Sequence, residues 1–311
     1  MGSSGDEVTT LIQTKLHRPR LSPDLVARPH LIQRLNQGVN CKLTLISAQA
    51  GAGKTTLLQQ WLPTCPRPSA WLSLDRHDND LNAFATYLCA AVLGVYPQAC
   101  RQTMDLLDAP QAPPLRVIVS TLVNELDAFF REQPAPIDGH HSETGLILAL
   151  DDCHTIVNPS VHDLLSQLIR YLPKAMHIAL ASRTDPPLPL AGLRARSEIN
   201  ELRTADLRFS AAEAGAILEL TAGRKMSSET IDLLANTTDG WAVGLRLAGL
   251  SLRDRADDAK IAQRFMGAVH TGVADYLVTE VLAGQPAARQ DFLLRISILD
   301  RICADLCEWA L

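Results

Sequence analysis

The segment KLTLISAQAGAGKTTLLQQWL, residues 42–62, decides the fold. An apolar run rich in β-branched residues, KLTLIS, predicts a buried strand, and LLQQWL predicts the helix that follows it. Between them stands Ala48-Gln49-Ala50-Gly51-Ala52-Gly53-Lys54-Thr55-Thr56. Glycines there let backbone N–H groups approach phosphate oxygens, and the helix start adds its positive end. Lys54 then reaches the β and γ oxygens, and the Thr55 hydroxyl ligates Mg²⁺. The loop residues Ala50, Gly51, Ala52, Gly53, Lys54, Thr55 and Thr56 are therefore candidate nucleotide contacts. The general phosphate-loop pattern opens with Gly where this chain has Ala48. A turn that binds nothing would leave Lys and two Thr at an anion site without a reason.

Working outward, four more strand candidates follow: SAWLSL (69–74), GLILAL (145–150), MHIALAS (176–182) and EINEL (198–202). The middle two are nearly continuous apolar runs, as expected for strands covered by helices on both faces. Helix start signals lie between the strands: Asp80, Pro113-Pro114, and Asn158 followed by Pro159. Strands joined by crossover helices imply a five-stranded parallel sheet of the P-loop NTPase kind. QPAPIDGHHSET (133–144) has no apolar period and reads as an exposed loop, with His140-His141 as loop residues rather than ligands.

Asp151 and Asp152 end the third strand, at the edge where open parallel sheets bind ligands. Asp151 is the expected Mg²⁺ partner and Asp152 the residue that polarises an attacking water. Arg183 ends the fourth strand, where a guanidinium would sense the γ-phosphate; the plainer alternative pairs it with Asp185 or Glu198. Trp241, at a helix start, reads on pattern alone as core.

Past Leu207 the strand pattern stops. Ser210 and Glu213 form a capping box, and helices are expected at 210–221, 227–236, 240–253, 257–268, 271–283 and 286–295. The predicted organisation is a tag and disordered stretch at 1–10, opening with MGSSG, a nucleotide-binding domain at 11–208, a helical domain at 209–268, and a partial winged-helix domain at 269–311.

Composition agrees with such a globular chain. Its 311 residues suggest about two or three domains. Hydrophobic residues make up 47% and charged residues 20%, which excludes a disordered or fibrous chain. A net charge of −5 argues against broad contact with a phosphate backbone. The seven cysteines are scattered and include no CxxC pair, which favours a reducing compartment. Cys303 and Cys307 share a helix face as small hydrophobes. No run approaches the ~18 apolar residues of a membrane span, so a cytoplasmic location is expected.

Taken together, several motifs resemble the STAND-class regulatory ATPases, specifically the MalT-like, LuxR-type large ATP-binding bacterial transcription regulators. They are TKLHRP near the start, ARPHLIQRL at 27–35, AQAGAGKTTLLQQW, WLSLDRHDND at 71–80, LALDDCH, ASRTDPPLPLAGLRAR, TDGWAVGLRLAGLSL and the segment from DYLVTEVLAG to ICADLC. The family's loop tolerates Ala at position 48. The resemblance implies a sheet with the fourth strand between the first and third, Arg183 near the γ-phosphate and Arg28 on the adenine side. It also implies that Trp241, with Gly240, Gly244 and Leu245, belongs to the base-proximal motif, where Ala242 replaces the family's proline. No histidine follows His270, so no winged-helix ligand to ADP is expected.

The implied function is an ATP/ADP switch with Mg²⁺. ADP is bound at rest, and ATP with a small-molecule inducer allows opening and self-association. The inducer sensor and the DNA-binding helix-turn-helix are missing here. Asp152 stands where fast ATPases of this sheet order carry Glu, so slow hydrolysis is expected. The alternative is a P-loop metabolic kinase with a lid built on Arg194 and Arg196. A ring-forming motor would need an intersubunit arginine finger, which is not identifiable.

Overall fold

A computed structural model describes residues 11–22, 24–132, 145–253, 276–283 and 285–297. The 133–144 loop, the tag, the helix expected at 257–268, the first five residues of that at 271–283, His140-His141, Cys303 and Cys307 lie outside these residues.

Five strands, β1 (Leu43–Ser47), β2 (Ser69–Ser73), β3 (Leu146–Asp151), β4 (Met176–Ser182) and β5 (Ile199–Arg203), form one all-parallel sheet in the order β2-β3-β4-β1-β5. β4 thus separates the phosphate-loop strand from the Asp151 strand. The register aligns Ser47 with Ser182 and Leu150 with Leu180, so the two central carboxyl ends finish level.

Strand alternation sorts side chains by size. Leu43, Leu45, Leu148, Leu150, Ile178 and Leu180 join one buried cluster. It is covered by α3 (Leu81–Leu93), α5 (Leu115–Glu132) and α6 (Pro159–Arg170). The other face presents Ala149, Ala179 and Ala181 with Ile46 and Ile147. Small side chains there admit α2 (Lys54–Trp61), the helix that carries the phosphate loop, and α1 (Pro29–Gln37) beside it. Trp61 of α2 is fully buried and meets the His177 ring edge-on, with centroids 6.0 Å apart. His177 is itself fully buried, bonded to the Cys41 carbonyl at 2.7 Å and to Thr44 Oγ1 at 3.0 Å.

The N-terminal segment is tied to the sheet by a buried ion pair. Lys15 Nζ donates to both Asp78 carboxylate oxygens at 2.5 and 2.6 Å, and lies 4.4 Å from the Tyr87 ring centroid. Gln59 and Gln60 of α2 donate to the Pro19 and Val26 carbonyls further along that segment. The TKLHRP and DRHDND motifs therefore meet each other in space.

α4 (Arg101–Leu107) lies between α3 and α5 in the chain, and α7 (Leu190–Ala195) and α8 (Thr204–Leu207) flank β5. The chain divides into two compact units, Met1–Leu207 and Arg208–Leu311. In the second, α9 (Ala211–Ala222) begins at the forecast capping box of Ser210 and Glu213, and α10 (Ser228–Thr238) and α11 (Ala242–Leu252) pack with it. A π-helical turn at Leu277–Leu282 and α12 (Ala287–Ile296) follow.

Candidate nucleotide site

The loop between β1 and α2 has two glycines in the left-handed region, Gly51 at φ 70° and Gly53 at φ 86°. A side chain would be strained at either position. Their alternation turns successive N–H groups toward one concave side, the geometry of an anion nest, at the positive end of α2. Lys54 Nζ donates to the loop carbonyls of Ala48 at 2.8 Å and Gln49 at 3.0 Å. The lysine is buried, and desolvation lowers its pKa against the opposing pull of Asp152 and Asp151.

Thr55 Oγ1 donates to Asp151 Oδ1 at 3.1 Å across 96 residues of sequence. This bond joins the loop to the acidic strand end and brings the two expected Mg²⁺ ligands together. Burial, with Asp152 beside it, raises the Asp151 carboxyl to about 6. A divalent cation, which demands the ionised form, would offset that penalty. Hard oxygen donors from a hydroxyl and a carboxylate are the right chemistry for Mg²⁺.

Asp152 takes a left-handed conformation, φ 57°, and is only partly buried. Lys54 feels the charges of Asp152, Arg183 and Asp151 together, so all four residues share one electrostatic site. Asp185, one alternative partner for Arg183, is bound by Arg203, and Glu198, the other, by Arg196 at 2.8 Å. Arg194 donates to Glu201 through two bonds of 2.8 Å. The two arginines on which a kinase lid would be built are thus engaged on the β5 side.

His154 was not singled out as a site residue. It sits two positions past Asp152 on a 3-10 turn, with Nδ1 3.7 Å from Asp152 Oδ1. Burial and the Arg183 charge press its pKa down to about 4, so the ring is neutral at pH 7. The visible signal is Asp-Asp-x-His immediately after a buried strand.

The Arg28 side chain is buried and donates to the Leu207 carbonyl at 2.7 Å. Trp241 belongs to the second unit, as the N-cap residue of α11, with its ring 5.7 Å from that of Tyr276. A Cβ on Gly244 would come within 2.8 Å of the Trp241 ring, so the glycine of this motif makes room for the indole.

A family model described as the MalT winged helix domain matches residues 278–311. The HTH-type transcriptional regulators MalT of Serratia proteamaculans and Yersinia pestis are each 34% identical over 290 residues, which is 93% of this chain. The solved structure of a STAND protein with a tetratricopeptide repeat sensor from Pyrococcus horikoshii aligns over 95% of this chain and 37% of its own, with a TM-score of 0.52 at 16% identity. Over nearly its whole length this chain is MalT-like, and it shares the fold of a STAND protein. The MalT-like chain spans only 30% and 31% of the two MalT relatives. At 16% identity the Pyrococcus structure speaks for the fold alone. Among the described residues, no helix is long and apolar enough to cross a membrane.

Proposed function

We propose that this chain is the nucleotide-operated switch of a cytoplasmic bacterial transcription regulator. ADP holds the resting arrangement, ATP with a small-molecule inducer permits opening and self-association, and slow hydrolysis resets the cycle. The single observation that carries this reading is the Thr55–Asp151 hydrogen bond of 3.1 Å beside a left-handed glycine loop. It holds ready the two groups that a Mg²⁺-nucleotide needs.

Bound Mg²⁺ would supply positive charge to the β- and γ-phosphate oxygens, held by Thr55 and Asp151. The N–H groups of residues 50–56 bind the phosphates, and Lys54 exchanges its loop carbonyls for phosphate oxygens. Asp152 orients the attacking water, and its short side chain keeps turnover low. Arg183 senses the γ-phosphate. Arg28 from the N-terminal segment and Trp241 from the helical domain serve the base side. The domains are taken as 11–208, 209–268 and 269–311. Nucleotide moves the equilibrium only by its preference for one arrangement over the other. Inducer and DNA are met by a sensor and a helix-turn-helix elsewhere in the full-length protein.

The test is to denature the purified chain and chromatograph what it releases. ADP is the expected product. A chain that carries no nucleotide and shows no ATP or ADP binding by calorimetry with Mg²⁺ overturns the proposal.

A further inference from the structure

The DRHDND turn, residues 75–80, belongs neither to the phosphate loop nor to the acidic strand end. It leaves β2 beside the acidic turn that leaves β3, because the two strands are parallel neighbours with Ser73 level with Asp151. The Leu74 N–H extends that pairing by donating to the Asp151 carbonyl at 3.0 Å.

Asn79 ends the 3-10 segment of this turn (Arg76–Asn79), and all four hydrogen-bonding positions of its carboxamide are filled. Nδ2 donates to the Arg76 carbonyl at 3.0 Å and, across 76 residues of sequence, to the Thr155 carbonyl at 2.9 Å. Oδ1 accepts from the Val157 N–H at 2.6 Å and the Asn158 N–H at 2.9 Å. The Asn158 side chain returns a bond of 2.6 Å to the Asn79 carbonyl. The turn behind Asn79 is itself braced, since Asp75 and Asp78 form a capping box and Lys15 holds the fully buried Asp78.

Thr155 links Asn79 to the acidic residue. Its N–H donates to the Asp152 carbonyl at 3.0 Å, and its hydroxyl donates to the same oxygen at 2.9 Å. Asp152 is left-handed, a conformation that a residue with a Cβ keeps only where its surroundings hold it. Its own side chain makes no capping bond to the turn it opens. The Asp152 backbone is therefore held by Thr155, and Thr155 by Asn79. Because φ and ψ set the direction in which the side chain leaves, this path aims the carboxylate.

We propose that Asn79 is a positioning residue for hydrolysis: through Thr155 it holds the left-handed turn from which Asp152 orients the attacking water. Its effect on rate rests on the nucleotide reading; its hold on the turn does not.

The experiment joins single-turnover ATP hydrolysis, ADP calorimetry and hydrogen exchange, on the whole chain, Asn79→Ala, Thr155→Val and the double variant, each below its melting temperature. The hydrolysis rate should fall by about ten- to a hundredfold in Asn79→Ala, the scale expected when a group is misplaced by about 1 Å, while ADP affinity stays parental. Thr155→Val removes only the hydroxyl bond to Asp152 and should slow hydrolysis too; it carries the test should Asn79→Ala fail to fold. The double variant should be no slower than the slower single one, because both changes act on one path. Without nucleotide, exchange of the Thr155 amide should rise in Asn79→Ala. A residue that only anchored α6 would release Val157 and Asn158 and leave Thr155 protected. A parental rate in Asn79→Ala, losses that multiply in the double variant, or an unchanged Thr155 amide overturns the proposal and leaves the nucleotide reading standing. ATP that the parent chain binds but never cleaves does the same. A parent chain that binds neither ATP nor ADP removes the nucleotide reading and the claim on hydrolysis together, and Thr155 exchange then tells whether the hold on the turn fails as well.

Discussion

Lys54 holds a buried ammonium between loop carbonyls and two carboxylates, an arrangement with a purpose only if a stronger anion can enter. Lys54→Ala should weaken ADP and ATP binding by about ten- to a hundredfold, the range expected for a lost charge-assisted bond, with an unchanged circular dichroism spectrum. Calorimetry measures the first and rules on the idea if affinity is retained. The Asp151 carboxyl, near 6, gives a pH signature. Protonation removes the charge that Mg²⁺ requires, so the Mg²⁺-dependent part of nucleotide affinity should fall as pH drops below about 6, and Asp151→Asn should abolish that dependence. Calorimetry across about pH 5–8, with and without Mg²⁺, checks it. Lys54, Thr55, Asp151 and Asp152 were legible because a motif fixes their spacing. His154 and the Lys15–Asp78 pair were not: one histidine in a turn has no period, and nothing local to Lys15 announces a partner 63 residues away.

The elements show the same division between local and distant causes. The five strands and the helices beginning at Asp80, Pro114, Asn158 and Ser210 carry their signals in adjacent residues, and the structure places them within a few positions of the forecast. α4 had no such signal. Its N-cap, Cys100, makes no side-chain cap bond. Instead Glu125 of α5 accepts from the Gln102 N–H at 2.7 Å and the Thr103 N–H at 3.0 Å, so the cap is borrowed from another helix. Glu125→Ala should cost about 1–3 kcal/mol in urea unfolding. Hydrogen exchange at Gln102 and Thr103 should rise first; unchanged protection there would show that the carboxylate is not the cap. α1 likewise has no side-chain cap bond from its N-cap, Arg28, and its local start signal is Pro29 at the first helical position.

At the scale of the whole molecule, both buried clusters of the sheet draw only on residues up to Leu207. A chain ending there should fold cooperatively without the helical unit, as a single sharp calorimetric transition would show. Its stability should also depend on acid. Burial holds the His177 and His154 rings down to about 4, against an ordinary value of 6.5. The unfolded chain then takes up protons first, so stability is complete above about pH 6.5 and is lost as pH falls toward 4. His177 alone accounts for up to about 3 kcal/mol. Asp151 opposes this, since its raised carboxyl binds a proton in the folded state below about 6. Thermal unfolding between these limits should show a falling midpoint, with a shallower slope in His177→Gln. If the midpoint does not move, those rings are not held neutral. The nucleotide unit was largely readable from sequence because a parallel sheet with crossover helices repeats one local pattern. The second unit was less so, because helical periodicity gives helices without saying how they pack.

The position of β4 between β1 and β3 sets a timetable for biosynthesis. β2 and β3 can pair as soon as both have left the ribosome, but β1 stays without a neighbour until Met176–Ser182 has emerged, because both strands beside it, β4 and β5, are translated later. A nascent chain halted before that point carries the whole glycine loop on an unsupported ribbon. The proposed grip on phosphate would therefore be among the last properties the unit acquires, and slow translation ahead of Met176 would prolong the loop's exposure to chaperones and proteases.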